Sequence, residues 1–85
     1  DNWEDEYYLR LVVRDKPGVL AEIAGIFGRH NVSLNSVIQK LKTKDNATII
    51  FITHEAREAW VNAALEEMRT CPSVLSVESR IRLER

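Results

Sequence analysis

The sequence predicts an α+β domain of order βαββαβ, with four antiparallel strands in one sheet and two helices on one of its faces. Three observations predict it. Apolar residues alternate with period two through residues 7–14, two stripes of helical period fall at 20–27 and 61–68, and breakers stand where each element must end. Eighty-five residues give room for one modest core.

The first strand is "YYLRLVVR", in which Tyr7, Leu9, Leu11 and Val13 point one way and Tyr8, Arg10, Val12 and Arg14 the other. Residues 1–6, "DNWEDE", are acidic around a lone Trp3 and are read as a linker or tail, leaving 7–85 as the domain. After "DKPG", Leu20, Ile23, Ala24 and Phe27 form one helical stripe, and Asn31 ends that helix because Asn tolerates positive φ. Residues 32–42 make a second strand, "TKDN" (43–46) a polar hairpin turn, and 47–54 a third strand. That strand is apolar on both faces through Ile49, Ile50, Phe51 and Ile52, which places it inside the sheet. A second helix over about 55–70 carries Val61, Ala64, Leu65 and Met68 and stops before Pro72. The last strand, 74–84, places Leu75, Val77, Ile81 and Leu83 together. Each helix is a right-handed crossover, so both cover the same face, as in the ferredoxin-like plait.

Composition narrows the function. Twelve basic against thirteen acidic side chains give no basic face for nucleic acid or an anionic membrane. No apolar run approaches a membrane span, and no signal-peptide pattern opens the chain. The single cysteine, Cys71, suits a reducing, cytoplasmic compartment. A start at Asp1 rather than Met suggests a domain of a longer protein.

The chemistry concentrates in the turn Asp15-Lys16-Pro17-Gly18-Val19-Leu20. Asp15 is placed to cap the helix, Pro17 suits a first helical turn, and Gly18 lets a partner approach the backbone. The amides of Gly18, Val19 and Leu20 are then free to receive a carboxylate or other small anion. A plain, well-capped helix start explains the same residues. Asn35 and Ser36 on the second strand add polar groups where a structural strand favours β-branched residues, and they suit the polar end of a zwitterion. Gly25, costly in mid-helix, points to close packing on the sheet or on a second subunit.

"LRLVVRDKPGVLAEIAGIFGRHNVSLNSVIQK" resembles the first half of an ACT domain, through its strand, D-x-P-G-V-L turn, helix and "NVSL" strand start. The "ITHEA", "VNAALEEM" and "IRLE" segments resemble more narrowly the C-terminal ACT domain of bacterial homoserine dehydrogenases. The resemblance covers residues 7–85 and implies a sensor rather than a catalyst. It implies pairing of copies, edge to edge, with an amino acid held at the interface. Carried over by position, the ligand contacts are Asp15, Lys16, Pro17, Gly18, Val19 and Leu20, with Ser33, Asn35, Ser36, Val37 and Ile38 opposite. The implied effector is threonine, giving feedback inhibition. The implied parent enzyme uses NAD(P), bound in an upstream catalytic domain rather than here. An acid at position 15 favours an ammonium and opposes a carboxylate, leaving the ligand's direction open. A pairing module without a ligand uses the same apolar edges and stands as the alternative.

Other constellations carry less. His30, His54 and Cys71 have no zinc spacing, and Glu66 and Glu67 point to different sides of their helix. No catalytic triad order, P-loop or dinucleotide motif occurs. An RNA-binding sheet would need more aromatic and basic residues than Tyr8, Arg10 and Arg14 supply beside Ile50 and Ile52.

Overall fold

Leu9, Leu11 and Val13 are 0–1% exposed, so the alternation of the first strand does report one buried face. A computed structural model describes residues 4–83 and gives the order β1 (Glu4–Arg14), α1 (Val19–Arg29), β2 (Leu34–Lys42), β3 (Asn46–Thr53), β4 (Ala56–Arg57), α2 (Glu58–Arg69) and β5 (Val74–Leu83). The long strands lie in the order β2-β3-β1-β5, all antiparallel, which is the ferredoxin-like plait.

The core lies between the sheet and the two helices. Tyr7, Leu9, Leu11 and Val13 of β1 and Phe51 of β3 face Ile23 and Phe27 of α1 and Val61, Leu65 and Met68 of α2. The rings of Phe27 and Phe51 are 5.4 Å apart and tilted by 52°, within the range of favourable aromatic contacts. Thr53 is the buried polar side chain, and its hydroxyl accepts the Tyr7 N–H at 3.0 Å. Among the described residues no helix covers the other sheet face; there Tyr8 lies beside Ile52 and Arg10 beside Ile50.

α1 ends as Asn31 predicts. Asn31 has φ 63°, its N–H donates to Gly28 O, and the Val32 N–H donates to Phe27 O at 2.9 Å, a Schellman closure. Thr43 and Asn46 close the β2–β3 hairpin through a 2.8 Å backbone bond. α2 stops at Arg69, short of Pro72.

Several expectations are corrected. Residues 4–6 are strand rather than tail, because Glu4 and Asp5 pair with Arg57 and Ala56 of the short β4, and Glu6 with Leu83; residues 1–3, with Trp3, lie outside the described residues. The buried stripe of α1 is Val19, Ile23, Ile26 and Phe27, while Leu20 and Ala24 are exposed. Periodicity alone could not separate these two stripes, which lie side by side on one wide apolar surface. β5 does not keep Leu75, Val77, Ile81 and Leu83 on one face, since register shifts pair Val77 with Leu11 on the core side and Ile81 with Tyr8 on the open side. Gly25 is not clamped within the chain: a Cβ there would meet only Arg29 Nη1, at 3.8 Å.

Candidate functional site

Lys16, Pro17, Gly18 and Val19 form a tight turn between β1 and α1. Gly18 sits at φ 87°, ψ −13°, the left-handed third position of a type II turn, and Pro17 precedes it at the position where its fixed φ belongs. The Val19 N–H donates to Lys16 O at 3.3 Å, and the Glu22 N–H donates to Gly18 O at 3.0 Å. Pro17 therefore lies in the turn ahead of the helix, not in its first turn. The Val19 amide is already spent. Among the described residues no backbone acceptor takes the Gly18 or Leu20 N–H, so these two donors keep the anion-receiving character expected of a helix start.

Asp15 does not cap α1; the helix start at Gly18 has no side-chain cap bond. The Asp15 N–H donates to Asp45 O at 2.8 Å, which fixes the residue against the β2–β3 hairpin. Its carboxylate Oδ2 lies 3.2 Å from Lys42 Nζ at the end of β2. The neighbouring Arg14 turns away and donates through Nε to Pro72 O at 3.2 Å.

A cavity of about 150 Å³ opens beside this turn, lined by Val13, Arg14, Asp15, Lys16, Val19, Leu20, Gln39, Ala47 and Ile49. It gathers four of the six turn residues expected at the site: Asp15, Lys16, Val19 and Leu20. Ser33, Asn35, Ser36, Val37 and Ile38 are not among its walls; β2 contributes Gln39 instead. The reason is topological. β2 runs antiparallel to β3 with Leu34 beside Thr53 and Lys42 beside Ala47, so only its C-terminal end reaches the turn after Arg14. Ser33 O accepts the His54 N–H at the opposite end of the sheet. At a rise of about 3.3 Å per residue, Asn35 lies roughly 20 Å along the strand from Leu41. The polar start of β2 and the turn of the same chain thus cannot touch one small ligand.

Gln39, which lines the cavity, and Lys42, which pairs with Asp15, are the β2 residues beside the turn that the sequence reading does not name. Chain order alone contains the signal, because in a β1-β3-β2 sheet the end of β2, not its start, borders the end of β1.

A second cavity, of about 420 Å³, lies between the helices, lined by Ala21, Glu22, Gly25, Ile26, Arg29, Glu67, Thr70, Cys71 and Pro72. It is larger, but two of its charges are committed to structure. The Glu67 carboxylate is held by His30 Nε2 at 2.8 Å and by Arg29, and these bonds draw its pKa below the usual carboxylate value. Among the described residues no three His, Cys, Asp or Glu side chains assemble as a metal site, and no helix is long and apolar enough to cross a membrane.

The ACT domain family model matches residues 7–72. The homoserine dehydrogenase of Helicobacter pylori is 40% identical over 79 residues, covering 92% of this chain and 19% of that protein. That of Corynebacterium glutamicum is 38% identical over 79 residues, covering 93% and 18%. The crystal structure of a homoserine dehydrogenase from Thiobacillus denitrificans superposes with a TM-score of 0.84 at 37% identity, over 95% of this chain and 18% of that one. The ACT domain from GTP pyrophosphokinase of Chlorobium tepidum shares the fold with a TM-score of 0.72 at 18% identity, over 92% and 99% of the two chains. The chain spans only 18–20% of the length of the curated relatives it matches. The strand, proline-glycine turn, helix and plait described above are those of the ACT family, to which this chain belongs.

Proposed function

We propose that this ACT domain is an amino-acid-responsive regulatory module of a homoserine dehydrogenase, and that threonine, bound between two copies, signals feedback inhibition to an upstream NAD(P)-dependent catalytic domain. The observation that carries the reading is the separation of the site's two halves. The turn and the Ser33–Ile38 segment lie at opposite ends of β2, and β2 is an edge strand. Antiparallel pairing of two β2 edges about a two-fold axis, centred near Ile38, sets residue 35 of one copy beside residue 41 of the other. It thereby brings the turn of one chain to Asn35 and Ser36 of its partner, and completes two equivalent sites.

The surface supports that pairing. Leu20, Val37, Ile38 and Leu41 are 43–66% exposed and gather along this edge and the helix beside it. A long edge strand with exposed apolar side chains is unstable against pairing with another strand. Ala24, exposed on the same side of α1 as Leu20, lets a second helix approach closely.

An effector shifts an equilibrium only through its different affinity for two states. Here the two states are two geometries of the pair, and a ligand touching both copies favours the one that closes both halves of its site. Catalytic domains attached to the pair are then restrained by its geometry.

A thermal-shift screen of the twenty proteinogenic amino acids at millimolar concentration tests the reading. Threonine at about 100 times its dissociation constant should add about 2.7 kcal/mol of stability. Asn35→Ala should abolish the shift although it lies far from the turn of its own chain. A shift with a different amino acid would assign the module to another enzyme of amino-acid metabolism. A dimer that responds to none of the twenty would make this a pairing module alone, a reading that the exposed edge favours equally.

A further inference from the structure

Asp15 poses a charge problem that Lys42 answers. Among the described residues the Asp15 carboxylate is the only acidic group lining the turn cavity, and its side chain is 34% exposed. Left alone, it would repel the carboxylate of any amino acid entering there and attract the ammonium. Two features of the structure remove that effect. Lys42 Nζ sits 3.2 Å from Asp15 Oδ2, on the last residue of β2, and the Asp15 backbone is pinned to Asp45 O at 2.8 Å, which holds the carboxylate in reach. The other charged lining residues are cationic: Lys16, on the turn itself, and Arg14, whose Nε is turned to Pro72 O.

We propose that Lys42 is a positioning residue for the effector: by engaging Asp15 it leaves the turn cavity net positive, so that the effector's carboxylate faces the turn and its ammonium faces the partner's β2. The inference rests on the reading of the turn as an amino-acid site and specifies the direction in which the amino acid lies. It also explains why an acid is compatible with this turn. Asp15 holds the hairpin end against the turn through Lys42, and in the paired state the ligand meets a neutral ion pair rather than a bare carboxylate.

The test is isothermal titration of wild type, Lys42→Met, Lys42→Arg, Asp15→Asn and the double variant Lys42→Met/Asp15→Asn. The probe is each of the twenty proteinogenic amino acids, followed by the amino-alcohol analogue of the tightest binder. Met keeps the length and apolar stem of Lys but not its charge. Lys42→Met should weaken binding by about tenfold or more, because it bares Asp15 to the carboxylate. Lys42→Arg and Asp15→Asn should each bind within about threefold of wild type. The double variant should recover most of the loss, since removing the acid removes the need for the lysine. The amino alcohol, which lacks the carboxylate, should be insensitive to Lys42→Met. A purely structural role would instead weaken Asp15→Asn as much as Lys42→Met, with no recovery in the pair, and that pattern overturns the inference. Unchanged binding by Lys42→Met also overturns it while leaving the effector site standing. Wild type that binds none of the twenty overturns the effector reading and this inference with it.

Discussion

Gly18→Ala separates the two reasons a glycine can stand in the β1–α1 turn. One is that a side chain would collide with something close by; the other is that the backbone conformation excludes it. A Cβ built at Gly18 meets nothing within 4 Å, so collision within the chain contributes nothing. The φ of 87° remains, and an L-residue there places its Cβ against its own backbone. The cost of Ala is thus the left-handed penalty of about 1–2 kcal/mol. For a domain of this size that lowers Tm by about 4–16 °C. Asn, which tolerates this region, should cost about half as much. Urea unfolding at fixed protein concentration measures the difference, and the slope against denaturant should be unchanged because the fold is. Since Lys16, Val19 and Leu20 line the cavity on both sides of Gly18, any relaxation of the turn should also weaken the effector binding proposed above. Losses below about 0.3 kcal/mol, or equal losses for Ala and Asn, would refute the conformational argument.

Further outcomes follow from other sites. Thr53→Val keeps the shape of a fully buried side chain but strips the acceptor from the Tyr7 N–H, and should cost about 1–3 kcal/mol in denaturant unfolding. Gly25→Ala should stabilise the isolated chain by about 0.5–1 kcal/mol, as the new methyl group meets only Arg29 Nη1 at 3.8 Å; a loss would show that α1 packs against another copy at this point. Glu67 has its pKa lowered in the fold, first by the hydrogen bond from His30 and then by Arg29, so its contribution is present above the ordinary value of 4.5 and is lost as pH falls through the lowered folded value. Thermal melts of Glu67→Gln should therefore show a shallower acid-side decline than wild type. If two copies pair through β2 as proposed, Ile38→Lys, at the centre of the exposed β2 edge, should leave the chain folded and shift sedimentation from dimer to monomer; a persistent dimer would move the interface elsewhere.

The outline of the fold was legible in the sequence because its strongest signals are local. Alternation marked the buried face of β1, Asn31 and Pro72 marked the ends of two helices, and "TKDN" marked the hairpin. The errors have a common physical origin, in that a local pattern shows that a residue is apolar or charged without naming its partner. Asp15 has the chemistry of a cap, but α1 starts three residues later, at Gly18, and the partner of Asp15 is Lys42, 27 positions away and brought near only by the sheet order. The two register shifts of β5 likewise depend on β1, and no local pattern could place Val77 and Ile81 on opposite faces. The α1 stripe is the most instructive case. Leu20 and Ala24 follow helical spacing as faithfully as Ile23 and Phe27, yet only the latter pair is buried in the chain's own core. An apolar stripe wider than one core requires is what a helix shows when it serves two surfaces. Leu20, which periodicity assigned to the core but the fold leaves in solvent, lines the turn cavity together with Gln39 of the exposed β2 edge. The proposed pairing of two copies accounts for the mismatch and for the separated turn and β2 start together, since it would cover Leu20 and Ala24 of α1 and bring Asn35 of one chain to the turn of the other.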